Sequence, residues 1–161
     1  MSHPPPEPEP VAPKSIELSR IPAICLGMHV RRASRIITQV YDAALRPLGL
    51  ALNQFTLLVS IHLMGPVAIT QLAQTLSTDQ TTLTRNLKLL EQRGWVAIAA
   101  AEDRRVKLVS LSPEGRTLLA AALPLWEQAQ NQVIQQLGDQ KWHTLLSLLS
   151  DLKMSDLKTI D

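Results

Sequence analysis

The sequence has few aromatic residues, a single cysteine and no long apolar run. Phe, Trp and Tyr together make up 3% of the 161 residues, so the core must consist mainly of aliphatic side chains, as suits helices packed on helices. Cys25 alone excludes an internal disulfide framework and favours a reduced protein. No apolar stretch approaches the roughly 20 residues that span a bilayer, and the N-terminus lacks the pattern of a secretion signal. We therefore expect a cytoplasmic protein of one domain's length, with no membrane partner.

The sequence also shows no pattern typical of an enzyme. The formal net charge of +2 permits a polyanionic partner but does not require one. The four histidines, which are His3, His29, His62 and His143, do not have the spacing of metal ligands. There is no nucleophile–base pair, no pair of carboxylates and no glycine-rich phosphate loop. We expect no catalytic activity, no metal and no cofactor.

Proline content and apolar periodicity divide the chain into segments. Six of the eleven prolines lie in residues 1–15, so we predict a disordered, proline-rich tail over residues 1–18. A helical pattern then runs from Ser19, a candidate N-cap, to Arg46. Further helices are predicted at about 53–63, 69–76, 79–92 and 112–137, and from 139 to near the C-terminus. Two short β-type runs, 95–99 and 106–111, predict a hairpin, so the fold class is mainly α with one small β-hairpin.

Two of these helices, 69–76 and 79–92, are joined by the tight turn Ser77-Thr78, and Thr78 is the predicted N-cap of the second helix. One face of the second helix carries the leucines Leu83, Leu87 and Leu90. The opposite face presents hydroxyl and basic side chains, namely Thr78, Thr81, Thr82, Arg85 and Lys88. Hydroxyls at a helix N-terminus bind phosphates, and an arginine can bind guanine through two hydrogen bonds. This face fits a DNA major groove, although the same side chains would also suit a merely solvated surface.

The predicted hairpin favours a DNA-binding surface over a merely solvated one. Residues 85–107 contain six basic and three acidic side chains, a local excess of positive charge. Arg104 and Arg105 lie at the predicted tip, beside Asp103, which can orient one of them. An arginine presented in this way can enter a narrow, electronegative minor groove.

Taken together, three stretches resemble the MarR family of winged-helix regulators over residues 20–155. They are RRASRIITQVYDAALRPLGL with NQFTLL, then TTLTRNLKLLEQRGWV, then EDRRVKLVSLSPEGR. The resemblance implies a homodimer formed by residues 19–50 and 112–161, and a winged helix-turn-helix DNA-binding lobe over 51–111. It further implies a recognition helix at 79–92 and a wing at 95–111, with Asp103 and Arg105 matching the family's paired wing residues. The expected partner is pseudo-palindromic double-stranded DNA, and the expected role is repression.

The sequence departs from the family pattern at several positions. Ile98 stands where a basic residue is common, and the wing reads Ala99-Ala100-Ala101 near its tip, without the usual proline or glycine. The usual Ser or Thr caps of two helices are replaced by Ala51 and Ala68. We expect these changes to reduce phosphate contacts and local helix stability without altering the fold.

The resemblance implies two ways of releasing DNA. An oxidant could act on Cys25, because a helix end and nearby cations favour the thiolate, although a free cysteine is more commonly a small core residue. A small aromatic anion could instead bind between the dimer helices and the DNA-binding lobe. The candidate pocket residues are His29, Arg32, Arg35 and His62. A different class of function also remains open, namely a winged-helix module that binds protein and not DNA.

Overall fold

The structure, a computed structural model, describes residues 15–103 and 105–152, with side chains from Leu18 onward. Seven α-helices, one short 3₁₀ turn and three strands occur in this part of the chain. In chain order they are α1 (Ser15–Ile24), α2 (Leu26–Leu45), the 3₁₀ turn (Arg46–Leu48), α3 (Leu52–Met64), β1 (Val67–Ala68), α4 (Ile69–Thr75), α5 (Gln80–Gln92), β2 (Val96–Ala100), β3 (Lys107–Leu111), α6 (Pro113–Leu137) and α7 (Asp139–Ser150). The described chain divides after Ile37 into two compact units. The mainly helical fold with one small β-hairpin is confirmed.

The first helix begins earlier than predicted. α1 starts at Ser15, so Ser19 lies inside the helix and is not its N-cap. Residues 15–18, which were predicted to belong to the disordered tail, are therefore helical. The helical pattern was missed there because the neighbouring prolines dominate the composition. The rest of the predicted tail, residues 1–14, lies outside the described residues.

The predicted helix from 19 to 46 is two helices that meet at Cys25. The backbone N–H of Cys25 donates to the carbonyl of Ile21 at 2.9 Å, which closes the last turn of α1. The carbonyl of Cys25 then accepts from Met28 at 3.1 Å and from His29 at 3.2 Å, which begins the ladder of α2. Gly27 lies in this first turn, where its low helix propensity favours a break.

The second unit has one aliphatic core, as the composition predicted. Its largest fully buried side chains are Leu45, Leu58, Ile61, Leu72, Leu83, Leu87, Leu90 and Val109. An aromatic pair adds to the packing of α3 on α6, because the rings of Phe55 and Trp126 stack with centroids 6.1 Å apart. Tyr41 of α2 donates a hydrogen bond to Gln130 of α6, and burial raises the pKa of this hydroxyl.

The three strands form an antiparallel sheet in the order β1-β3-β2. The predicted hairpin is confirmed, with Val96 opposite Leu111 at its base and Ala100 opposite Lys107 towards its tip. Strand β1 was not predicted, since two residues are too few to show an alternating pattern. It pairs with β3 through Val67 and Val109, and it leads directly into α4.

The start of α3 is capped from another helix. Ala51 is the N-cap residue and supplies no side-chain hydrogen bond, as expected. The carboxylate of Asp42 on α2 instead accepts from the backbone N–H of Leu52 at 2.7 Å. The side chain of Gln54 reaches back and accepts from the N–H of Ala51 at 3.1 Å. These two bonds satisfy the N–H groups of Leu52 and Ala51, whereas a serine or threonine at position 51 would accept from the N–H groups of the two residues after Leu52.

We predict that Asp42→Ala lowers the free energy of unfolding by about 1–2 kcal/mol, because the N–H of Leu52 loses its acceptor. Adding Ala51→Ser to this variant should recover part of the loss by restoring a local cap. The measurement is chemical denaturation at one fixed protein concentration. An unchanged midpoint in Asp42→Ala would show that the bond contributes nothing to stability.

Candidate nucleic-acid interface

The turn between α4 and α5 aims the second helix outward from the core. Ser77 adopts a left-handed conformation with φ of 48°, and the N–H of Thr78 donates to the carbonyl of Ala73 at 3.1 Å. The next residue, Asp79, is the N-cap of α5, and its carboxylate accepts from the N–H of Thr82 at 2.8 Å. The prediction that Thr78 is the cap is therefore wrong, because Thr78 belongs to the turn that closes α4.

Asp79 is held in its ionised form. Hydrogen bonds from the hydroxyl and the backbone N–H of Thr82 lower the pKa of this carboxyl below its ordinary value. Its negative charge also complements the dipole at the N-terminus of α5. The resulting stabilisation is present at neutral pH and is lost as the pH falls through the lowered pKa.

The two faces of α5 are separated as the sequence predicted. Leu83, Leu87 and Leu90 are buried. Four of the five predicted groove residues are exposed, and the fifth, Thr78, is half-buried in the turn; the exposed ones are Thr81, Thr82, Arg85 and Lys88. At 100° per residue, Thr81, Arg85 and Lys88 fall within about 60° of one another. These three form the centre of the outer face of α5, which we call the α5 face.

The threonines of α5 differ in what their hydroxyls contact. Thr82 donates to the carboxylate of Asp79, and Thr84 donates to the carbonyl of Gln80 at 2.7 Å. Both hydroxyls therefore bind within the helix. Thr81 has no such bond in the described part of the chain, which leaves its hydroxyl free for an external acceptor.

The tip of the wing holds a charged pair. Asp103 accepts from the backbone N–H of Arg105 at 3.0 Å and from its Nε at 3.2 Å. The side chain of Arg105 is 92% exposed, so its remaining N–H groups face solvent. The predicted orientation of an arginine by Asp103 thus has the geometry that it requires. The other predicted tip residue, Arg104, lies outside the described residues.

One arginine of the basic cluster is used inside the fold. Arg93, which follows α5, donates from Nη1 to the carbonyl of Gly49 at 2.8 Å. Its guanidinium also lies over the ring of Trp95, 4.8 Å from the centroid. Arg93 therefore ties the end of α5 to the turn after α2 and to the start of the wing. No local pattern indicates this role, since Gly49 is distant along the chain.

The base of the wing is held against the start of α6 by hydrogen bonds to two backbone carbonyls. Ser112, the N-cap of α6, donates its hydroxyl to the carbonyl of Gly94 at 2.6 Å and its N–H to the carbonyl of Trp95 at 3.1 Å. A Cβ at Gly115 would lie only 1.9 Å from the carbonyl oxygen of Trp95. Glycine is therefore required at this position, where the first turn of α6 meets the wing.

A cavity of about 300 Å³ lies between α3 and α6. Its walls are almost entirely apolar, and its lining residues are Phe55, Val59, His62, Leu63, Arg116, Leu119, Ala120 and Leu123. His62 and Arg116 are the lining residues with nitrogen-bearing side chains. Arg116 was not predicted as a pocket residue, because its charge appears in the sequence as part of an ordinary amphipathic helix.

Only His62 of the four predicted pocket residues belongs to this cavity. His29, Arg32 and Arg35 are exposed residues of α2 in the other compact unit. The ring of His29 bonds within that unit, with Nε2 3.3 Å from the carbonyl oxygen of Ala23. The thiol of Cys25 is free and half-buried at the break between α1 and α2.

The residues that the structure describes contain neither a metal-binding cluster nor a single membrane-spanning helix. None of their His, Cys, Asp and Glu side chains come together in a group of three or more that could hold a metal ion. No single helix within those residues is long and apolar enough to cross a membrane. The bent pair formed by 26–48 and 52–64 has the length and composition of a membrane span only when its two helices are taken together.

The sequence and the fold of this chain are similar to those of known proteins. The model of the MarR family matches residues 50–107. Over 85 residues, or 53% of the chain, the sequence is 33% identical to the uncharacterised HTH-type transcriptional regulator YwoH of Bacillus subtilis. That alignment spans 62% of YwoH, so the chain covers less than two thirds of this relative.

Solved structures match over more of their length. The M. tuberculosis transcriptional regulator MosR in complex with DNA has 36% identity and a TM-score of 0.70, over 77% of this chain and 92% of MosR. A mutant of E. coli MarR complexed with operator DNA has 26% identity and a TM-score of 0.75, over 81% and 95% of the two chains. The repressor CouR bound to a 23-mer DNA duplex has 27% identity and a TM-score of 0.74, over 86% and 96%.

The order of helices, the helix-turn-helix and the wing define a winged helix-turn-helix protein. The chain belongs to the MarR family. Since this is a family of transcriptional regulators, the expectation that the chain is not an enzyme is confirmed.

Proposed function

We propose that the protein is a sequence-specific double-stranded DNA-binding repressor that acts as a homodimer on a pseudo-palindromic site. The observation that carries this proposal is the pairing of Asp103 with a highly exposed Arg105 at the tip of the wing. The α5 face lies on the same DNA-binding lobe, residues 51–111. The relatives solved with DNA support the proposal, as MosR, MarR and CouR share this fold.

The α5 face and the wing would read different features of DNA. α5 enters the major groove, where the hydroxyl of Thr81 binds phosphate and Arg85 contacts a base edge. Neither Arg85 nor Lys88 has an ion-pair partner within residues 15–103 and 105–152, so no internal bond competes with DNA for either cation. Arg105 enters the neighbouring minor groove, where A·T-rich sequence makes the groove narrow and electronegative.

We predict that Arg105→Ala weakens operator binding by about 1–3 kcal/mol, most strongly for sites with A·T-rich flanks. Arg85→Ala should instead relax base preference in the major groove. Affinities for selected and shuffled duplexes, measured at several salt concentrations, test both effects.

A wild-type protein that binds no duplex DNA even at low salt would contradict the proposed function. It would favour the other class, a winged-helix module that binds protein. If the wild type binds DNA but Arg105→Ala and Arg85→Ala both bind as tightly, the recognition surface lies elsewhere.

The terminal helices carry the apolar surface that a dimer would cover. In the first unit the exposed large apolar side chains include Leu18, Ile21, Ile24, Leu26, Met28 and Val30. In the second unit, α7 and the residues after it expose Leu145, Leu146, Leu148, Leu149 and Leu152. Clusters of exposed apolar side chains are typical of protein–protein interfaces. It supports dimerisation through residues 19–50 and 112–161.

We predict a dimer in dilute solution, measured by analytical ultracentrifugation. Replacing Leu145 and Leu149 together by arginine should dissociate it, because two charges would be buried without partners. Ser147→Arg adds charge on the opposite face of α7 and should leave the dimer intact. A well-folded wild-type monomer at micromolar concentration would rule out the dimer.

We further propose that the α3–α6 cavity takes a small aromatic anion. The apolar walls suit an aromatic ring, while His62 and Arg116 supply donors for a carboxylate. A second route to release is oxidation of Cys25, which lies where the ladders of α1 and α2 meet. Sulfenic acid or a mixed disulfide at this junction would change the packing of the N-terminal helices.

Two treatments of the protein–DNA complex separate these routes. Benzoate, the simplest aromatic carboxylate, should release DNA from the wild type but not from Ala120→Trp, whose larger side chain fills the cavity. Peroxide should release DNA from the wild type but not from Cys25→Ser. Fluorescence anisotropy of labelled operator measures both. An equal response of wild type and variant to either treatment eliminates the corresponding route.

A further inference from the structure

We propose that Arg116 is a latch that couples the α3–α6 cavity to the wing. Its guanidinium holds the end of β3, while its aliphatic stem forms part of the cavity wall. A ligand that fills the cavity would open this latch and loosen the wing. The inference rests on the proposed function, because it explains how a bound ligand would weaken DNA binding.

The contact with the wing is direct. Nη1 of Arg116 donates to the carbonyl of Leu111 at 2.9 Å. Leu111 is the last residue of β3, its side chain is buried, and it pairs with Val96 at the base of β2. A hydrogen bond from a charged donor is stronger than a neutral one, so this bond restrains the base of the hairpin.

The contact with the cavity involves the same side chain. Arg116 lines the cavity, and the cavity walls are almost entirely apolar, so the part of Arg116 that faces the cavity is its carbon stem. An aromatic ring in this space must press on that stem. A carboxylate on the ring is also a stronger acceptor for guanidinium than a backbone carbonyl is. Both effects draw Arg116 away from Leu111.

The hairpin can carry this change to the tip. β2 and β3 are paired along their whole length, from Val96 and Leu111 to Ala100 and Lys107. At about 3.3 Å per residue, the strands span roughly 13 Å or more. A small rotation at the base therefore displaces Arg105, which must enter the minor groove. Arg116 is a positioning residue in this scheme, since it acts through Arg105.

Three substitutions separate the latch from other roles of the side chain. Arg116→Met keeps an unbranched apolar stem and removes the donor, so we expect operator Kd to rise about fivefold. Arg116→Lys keeps a charged donor of nearly the same reach and should bind within about twofold of the wild type. Arg116→Gln is too short to reach Leu111 and should behave as Arg116→Met does. It serves the same purpose if Arg116→Met does not fold.

A double-mutant cycle with Arg105→Ala gives the decisive readout. If Arg116 acts through the wing tip, adding Arg116→Met to Arg105→Ala should lower operator affinity little further. The salt dependence of operator affinity in the double variant should then match that of Arg105→Ala alone. If Arg116 were a phosphate contact, the factors by which the two substitutions weaken operator binding would multiply. The slope of log affinity against log salt concentration would then fall by about one further unit. That outcome would overturn the latch.

Amide hydrogen exchange provides a second measurement that does not depend on DNA. Amide exchange within residues 96–100 and 107–111 should be faster in Arg116→Met than in the wild type. In Arg116→Lys it should be as slow as in the wild type. Unchanged exchange in Arg116→Met would overturn the proposal. Failure of the proposed function is distinct, because the wild type itself would then not bind DNA.

Discussion

The burial of three leucines on α5 constrains what this helix presents to a partner. Leu83, Leu87 and Leu90 are essentially inaccessible in the aliphatic core, so α5 cannot rotate about its axis without exposing them. The opposite face is therefore fixed outward, and with it the side chains of Thr81, Arg85 and Lys88. The proposed groove recognition thus depends on hydrophobic burial on the other side of the same helix.

The fold gives the basic side chains near the wing different roles. The basic residues near the wing look equivalent in sequence, but Arg93 is bonded to Gly49 and stacked on Trp95, whereas Arg105 projects into solvent. Arg116 forms a third case, as it bonds a strand end and lines a cavity. Counting positive charge along the chain therefore overstates the number of cations that DNA could meet.

Regular periodicity made most of the fold predictable. The leucine spacing of α5, the alternation in β2 and β3, and the Ser-Pro-Glu start of α6 are local patterns, and the structure has each of them. The Asp103–Arg105 pair was also predictable, because its members are two residues apart. Features that depend on distant partners were missed. Asp42 caps α3 from ten residues away, and Arg116 acquires its second role only when α6 packs beside α3.

The close approach at Gly115 has a consequence for how such a protein can change over evolutionary time. Because the carbonyl of Trp95 occupies the space of a methyl group, the angle between the wing and α6 is set by backbone against backbone. Substitutions of side chains in the core do not change that angle. Under the proposed function, new DNA preferences would therefore arise by replacing residues on α5 or at the tip of the wing, while the contact between the wing and α6 stays the same.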